Sequence, residues 1–159
     1  MNRKGRVIIH CGATHVSLLE AAPQVGGRFY LKNLDFIALD YDSACCGDWM
    51  DALSGGIQEL KKRRKHFPGL TVIIPGFRVL VKNMKVPHVE KRKRRSIIAF
   101  EAQEGLSCAL EDLIWDYQEI SDDGIETNLI FLAVERSWVI ALIRRLEKAG
   151  LQARQIRPE

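Results

Sequence analysis

Residues 6–19 read RVIIHCGATHVSLL. Arg6 to Cys11 is a strand-like apolar run, Gly12-Ala13-Thr14 supplies a turn, and His15 to Ala21 is strand-like again. Pro23 and the Gly26-Gly27 pair make a second turn. Arg28 to Leu39 follows as a third stretch, broken by the turn-prone Lys32-Asn33. Short β-rich runs joined by glycine turns describe an antiparallel meander.

Outward from the meander the periodicity changes. Met50, Leu53, Ile57 and Leu60 recur at helical spacing, with Asp48 as the expected cap and the basic run Lys61 to Lys65 at the negative end of the helix dipole. Gly55-Gly56 weakens the middle of this helix by about 1 kcal/mol per glycine relative to alanine. After Pro68-Gly69, Leu70 to Ile74 is a short continuous apolar run, as expected of a strand covered on both faces. Pro75-Gly76 turns the chain, and the alternation from Phe77 to Val86 predicts another strand. Pro87 opens a helix to about Glu104 whose apolar side is Ile97, Ile98, Phe100 and Ala102. Leu113 to Ile120 and Ile125 to Val134 are strands joined by Asp122-Asp123-Gly124, a strong hairpin signal. Ser137 is the expected cap of a last helix with the stripe Val139, Leu142, Ile143, Leu146 and Ala149. Gly150 stops it, and Leu151 to Ile156 reads as a final strand. The order is βββαβ, then βαββαβ, the second block having the pattern of a small sheet with two helices on one face. The fold class is α/β (α+β), with one block over 1–76 and another over 77–159.

Composition bounds the function. The chain has 159 residues, of which 47% are hydrophobic, enough for a core in one domain or two small ones. No window approaches the roughly 18 consecutive apolar residues of a membrane span. Val7-Ile8-Ile9 behind the basic start is too short for the core of a signal peptide, so a cytoplasmic protein is expected. Cys11, Cys45, Cys46 and Cys108 form no C-x-x-C pair and no zinc spacing, and read as reduced thiols. The net charge is +4, and Lys61 to Lys65 and Lys91 to Arg95 carry much of the positive charge. Such runs can hold nucleic acid or an anionic membrane. No aromatic platform interleaves with them, and solvated helix faces are the preferred reading.

No catalytic residue stands out. His10, Cys11 and His15 cluster at the first turn, but no carboxylate or third spaced ligand is near in sequence, and no metal is expected. Gly26-Gly27 lacks the lysine and the strand-to-helix context of a phosphate loop. Trp49, Trp115 and Trp138 read as core or interface residues, and Glu101 and Glu104 as partners of nearby arginines.

RVIIHCGATHVSLL resembles the first hairpin of actin-like ATPases, where a D-x-G-[ST]-x-[ST] turn cradles phosphate. Val79 to Pro87, the helix ending Phe100-Glu101-Ala102-Gln103-Glu104, Leu110-Glu111-Asp112, Asp116-Tyr117-Gln118, Ala133-Val134-Glu135 and Ala149-Gly150-Leu151 together resemble type IV pilus assembly proteins of the PilM family, which are actin-like and FtsA-related. The resemblance implies that 1–76 is part of an actin-like (ribonuclease H-like) lobe. It implies that 77–159 is an inserted βαββαβ subdomain with a return strand.

It further implies a cytoplasmic scaffold, peripheral to the inner membrane, that docks a cytoplasmic peptide of a PilN-like inner-membrane pilus protein. An anionic membrane surface is a possible second contact, and no specific nucleic acid is expected. The alternatives are a lobe of a nucleotide-binding actin-like ATPase and a basic nucleic-acid module. The phosphate-loop position would be His10, Gly12, Ala13 and Thr14, with His10 where the family has aspartate and Ala13 lacking the usual hydroxyl. The second lobe is not in this chain, so the chain alone is expected to hold no cofactor and not to be an ATPase. By the resemblance, ATP with magnesium is possible only in a longer parent protein. The peptide groove is expected between the two blocks, at Phe77, Val79, Val81, Lys82 and Phe100.

Overall fold

The computed structural model describes residues 5–41, 46–64, 67 and 69–159. The chain forms two compact units, Met1–Phe77 with Ala141–Glu159, and Arg78–Ile140.

In the first unit, β1 (Arg6–Cys11), β2 (His15–Pro23) and β3 (Phe29–Ala38) form the meander. Lys32-Asn33 does not break β3. The strand absorbs it as a bulge, with Leu31 opposite Ala21 and Asn33 opposite Glu20. Helix α1 (Cys46–Arg63) leads to β4 (Leu70–Ile74), parallel to β1. The helix begins two residues before Asp48, which is therefore not its cap; the Asp48 side chain, like Lys65 and Pro68, lies outside the described residues. The last strand, β8 (Ala153–Pro158), pairs in parallel with β4, giving the order β3-β2-β1-β4-β8. The strand counted with the second block in sequence thus completes the first sheet.

Helix α3 (Arg136–Lys148) precedes β8. It starts directly from the preceding strand, so Ser137 lies inside it and donates its hydroxyl to the Glu135 carboxylate instead of capping. Gly150, at φ 69°, ends it, with Gly150 N donating to Glu147 O and Leu151 N to Leu146 O.

The crossovers into β4 and into β8 run the same way across the sheet, and right-handed connections put both helices on one face. Arg145 pairs with Asp51 at 2.8 Å, and the Lys61 ammonium reaches the Ala149 carbonyl, so α1 and the end of α3 lie side by side. Toward them point buried Val7, Ile9, Cys11, Val16, Leu18, Leu70, Val72 and Ile74. Gly56 is where α1 approaches the sheet most closely. A Cβ there would stand 2.6 Å from Val16 Cγ1 and 3.1 Å from Leu39 Cδ2. The sequence shows only the cost of this glycine to the helix; the packing supplies its reason.

In the second unit, β5 (Leu80–Pro87), β6 (Leu113–Asp122) and β7 (Glu126–Glu135) form an antiparallel sheet in the order β5-β7-β6. Helix α2 (Lys91–Gln103) covers one face, burying Ile98 and Ala102 against Met84, Val86, Leu113, Leu129, Phe131 and Ala133. Two expectations change. Phe77 is not in a strand but in the short 3-10 turn Gly76–Arg78. Phe100 is not on the apolar side of α2: it is 72% exposed, two residues round from Ile98.

Candidate functional site

The β1–β2 turn carries His10, Gly12, Ala13 and Thr14, and it is held from below. Trp49, fully inside α1, donates its indole N–H toward the carbonyls of Gly12 at 3.2 Å and Ala13 at 3.1 Å. The Tyr41 hydroxyl also donates to Ala13 O, and Leu39 N to Thr14 O at 2.8 Å. Gly12 N donates to His15 O at 2.9 Å, so this amide is engaged inside the turn. A Cβ on Gly12 would lie 3.0 Å from that same oxygen, so a larger residue would need the turn to shift by a few tenths of an ångström.

Two imidazoles and a carboxylate meet beside the turn. The His10 and His15 rings stand edge to face with centroids 5.7 Å apart. His10 Nε2 lies 3.2 Å from Glu159 Oε1, and Gly76 N donates to Glu159 Oε2 at 3.1 Å. The Gly76 amide, then His10, hold the Glu159 carboxyl below the usual range. Among the described residues no three histidine, cysteine or acidic side chains are arranged to hold a metal ion. Magnesium takes oxygen ligands, and at the end of β1 it would meet an imidazole already engaged by Glu159. A carboxylate beside the turn also opposes a phosphate electrostatically. These residues do not fit a magnesium-nucleotide cradle. Cys11, next to His10, points into the core, where burial pushes its thiol up to about 12, so it is no thiolate ligand.

The residues expected to bind a peptide separate into distinct roles. Phe77, 55% exposed, belongs to the first unit and sets its ring edge-to-face on Trp49 at 5.5 Å. It therefore supports the residue that braces the β1–β2 turn. Val79 is half-buried just before β5. Val81 is 59% exposed on the sheet face turned away from α2, opposite Leu132. Lys82 points the other way and donates its ammonium to the Glu104 carbonyl at 2.6 Å. Phe100 is on the outer side of α2. Within the second unit, Val81 and Phe100 thus lie on opposite sides of the helix-covered sheet and do not share a surface.

The face that carries Val81 also carries residues not foreseen in sequence. Ile114 opposite Val134, and Leu132 opposite Val81, continue it across β7 and β6. The alternation of Leu113, Trp115 and Tyr117 against Ile114, Asp116 and Gln118 is the signal that could have found it.

The basic runs are largely engaged. Arg64 pairs with Glu20, Lys62 with Glu59 and Arg63 with Asp35. Arg64, then Lys32, bring the Glu20 carboxyl down to about 2. In the second run Arg92 pairs with Glu90. Buried Arg94 joins Glu119 at 2.6 Å and Asp122 at 3.2 Å, and Arg95 stacks over Trp115 at 4.1 Å beside Asp116. Arg94 and Arg95 therefore pair across to β6 rather than with Glu101 or Glu104, because α2 turns that edge toward the strand. Asp122 collects the Gly124 amide, the Thr127 hydroxyl and His88, in that order of effect, and its carboxyl lies at about 2.

No family model and no curated protein matches the sequence. Among solved structures the chain is similar to a chain of a PilM–PilN type IV pilus biogenesis complex, with a TM-score of 0.77 and 17% identity over 99% of this chain and 48% of that one. It is also similar to the cytoplasmic domain of EpsL from Vibrio cholerae, an inner-membrane component of the type II secretion system, with a TM-score of 0.64 and 11% identity over 98% of this chain and 57% of that one. The chain spans about half the length of each. These likenesses establish the mixed α+β fold. No helix among the described residues is long and apolar enough to cross a membrane.

Proposed function

We propose that this chain is a scaffold component of a type IV pilus or related secretion assembly, working in the cytoplasm at the inner membrane. It docks a short cytoplasmic peptide of an inner-membrane partner of the PilN kind. The observation that most supports this reading is the likeness over 99% of the chain to part of a PilM–PilN complex. Chemistry in the second unit is compatible with it. β5 is an edge strand of its sheet, so its outer main-chain groups can pair with an extended peptide. Val81 on that edge and Leu132 on the neighbouring β7 offer apolar contacts, each side chain supplying roughly 1.5–3 kcal/mol on full burial, before the peptide's ordering cost.

This chain alone is not an ATPase in this reading. His10 stands where the magnesium shell needs a carboxylate, and Glu159 engages it. Calorimetric titration with millimolar magnesium-ATP gives no saturable heat. A micromolar dissociation constant would return the nucleotide-binding reading to first place. The docking reading is tested by fluorescence anisotropy with labelled amino-terminal peptides of inner-membrane pilus assembly proteins. Saturable binding that weakens with Val81→Asp supports it.

A further inference from the structure

The face of the five-stranded sheet turned away from α1 and α3 is largely apolar, and an imidazole stands in its middle. From β3 to β8 one row of neighbours on that face is Phe36, Ser17, His10, Ile73 and Arg157, and the next row has Leu34, Leu19 and Ile8. The His10 side chain is 20% exposed. Its ring and that of His15 both close on Gly12, where an added Cβ would lie 3.4 Å from His10 Cε1 and 3.2 Å from His15 Cε1. Glu159, which faces His10 Nε2, gathers three segments. Its own amide donates to Ile74 O at 3.0 Å at the end of β4, its Oε2 accepts from Gly76 N at 3.1 Å, and its Oε1 meets His10 at 3.2 Å. Gly76 opens the turn Gly76–Arg78, and Arg78 is the first residue of the second unit. Phe77 between them sets its ring on Trp49, whose indole holds the Gly12 and Ala13 carbonyls. One carboxylate thus ties the stretch by which the first unit runs into the second back to the β1–β2 turn.

We infer that His10, Glu159 and Gly76 form an acid-tightened clamp on this connecting stretch, closed when His10 carries a proton and loosened when it is neutral. Imidazole is the side chain whose charge changes between about pH 5 and 8. A neutral ring offers Glu159 an uncharged N–H or, in the other tautomer, a lone pair that repels the carboxylate. An imidazolium offers a charge-assisted hydrogen bond, roughly twice as strong. Glu159 stays ionised over that range, because the Gly76 amide, then His10, hold its carboxyl below the usual values. Its Oε2 is therefore an acceptor for Gly76 in both states, and the proton on His10 changes how firmly the carboxylate is anchored. Among the described residues, the titratable and charged groups facing His10 are His15 on β2 and Arg157 and Glu159 on β8, while β4 brings Ile73. Arg157 and a protonated His15 oppose the proton, and Glu159, the group in contact, favours it. The clamp is firmest near the acid end of the range and weakens as pH rises toward about 8. This inference does not depend on the docking reading.

The test is amide hydrogen exchange of the isotope-labelled chain, followed by nuclear magnetic resonance at about pH 5.5 and about pH 8. Each rate is compared with that of an unstructured peptide at the same pH. Gly76 is expected to be roughly threefold better protected at the lower pH, the size of effect a partly exposed ion pair supplies. Ile9, inside β1, is expected to be equally protected at both. The change at Gly76 should follow the His10 Cε1 proton signal as the ring titrates. His10→Gln and Glu159→Gln each remove it, and Glu159→Gln, at a side chain 55% exposed, keeps the inference testable if His10→Gln disturbs the turn. His15→Gln leaves it in place. Equal protection of Gly76 at both pH values would overturn the inference, as would a parallel change at Ile9. So would a pH dependence that survives in His10→Gln or Glu159→Gln, or one that His15→Gln abolishes.

Discussion

The ammonium of Lys82 lies 2.6 Å from the carbonyl oxygen of Glu104, so a cation on β5 closes the last turn of α2. The carbonyls at a helix end lack intrahelical partners and carry the negative end of its dipole. Lys82→Met keeps the aliphatic stem and removes the donor. It is expected to cost about 1 kcal/mol, read as a lower urea midpoint, with faster hydrogen exchange in Ala102 and Gln103.

Gly55 and Gly56 are adjacent in α1 and should respond oppositely to alanine. At Gly55 an added Cβ meets nothing within 4 Å, so the helix gains up to about 1 kcal/mol. At Gly56 the same methyl collides with Val16 at 2.6 Å, and overpacking of about 1–3 kcal/mol outweighs the helical gain. Thermal unfolding of the two variants should show Tm rising for Gly55→Ala and falling for Gly56→Ala.

Asp122 makes the second unit sensitive to acid. Its carboxyl lies at about 2 in the fold, held down first by the Gly124 amide and then by Thr127 and His88, against about 4 in an unfolded chain. A lowered folded value gives stability that is fully present above about pH 4 and is lost as pH falls toward 2. Asp122→Asn removes this contribution, so the urea midpoint read from the methyl signals of Ile98 and Leu129 should fall less steeply over that window than in the unchanged protein. An identical slope would show that Asp122 is not the residue responsible.

Element order was legible because periodicity and glycine turns carry it. The stripe Met50, Leu53, Ile57, Leu60 is α1, and Asp122-Asp123-Gly124 is the hairpin between β6 and β7. The site was less legible because it depends on partners far apart in sequence. Phe77 looks like the first residue of an alternating strand, yet its ring belongs to Trp49, and that indole braces Gly12 and Ala13 from α1. Nothing near residue 12 announces residue 49. Phe100 has the chemistry of a core residue but falls between the positions that face the sheet, an angular offset that a list of apolar residues conceals. The apolar face of the larger sheet was hidden for another reason. Leu34 and Phe36 alternate as a buried strand would, and only the topology shows that both helices cross on the other side.

The central claim, that this chain docks a cytoplasmic peptide of an inner-membrane partner, is tested most directly by fluorescence anisotropy of labelled amino-terminal peptides from such partners against the folded chain. Saturable binding that Val81→Asp weakens at least tenfold, with circular dichroism unchanged, is the result this account predicts. A folded protein that gives no saturable signal with any of these peptides would contradict it.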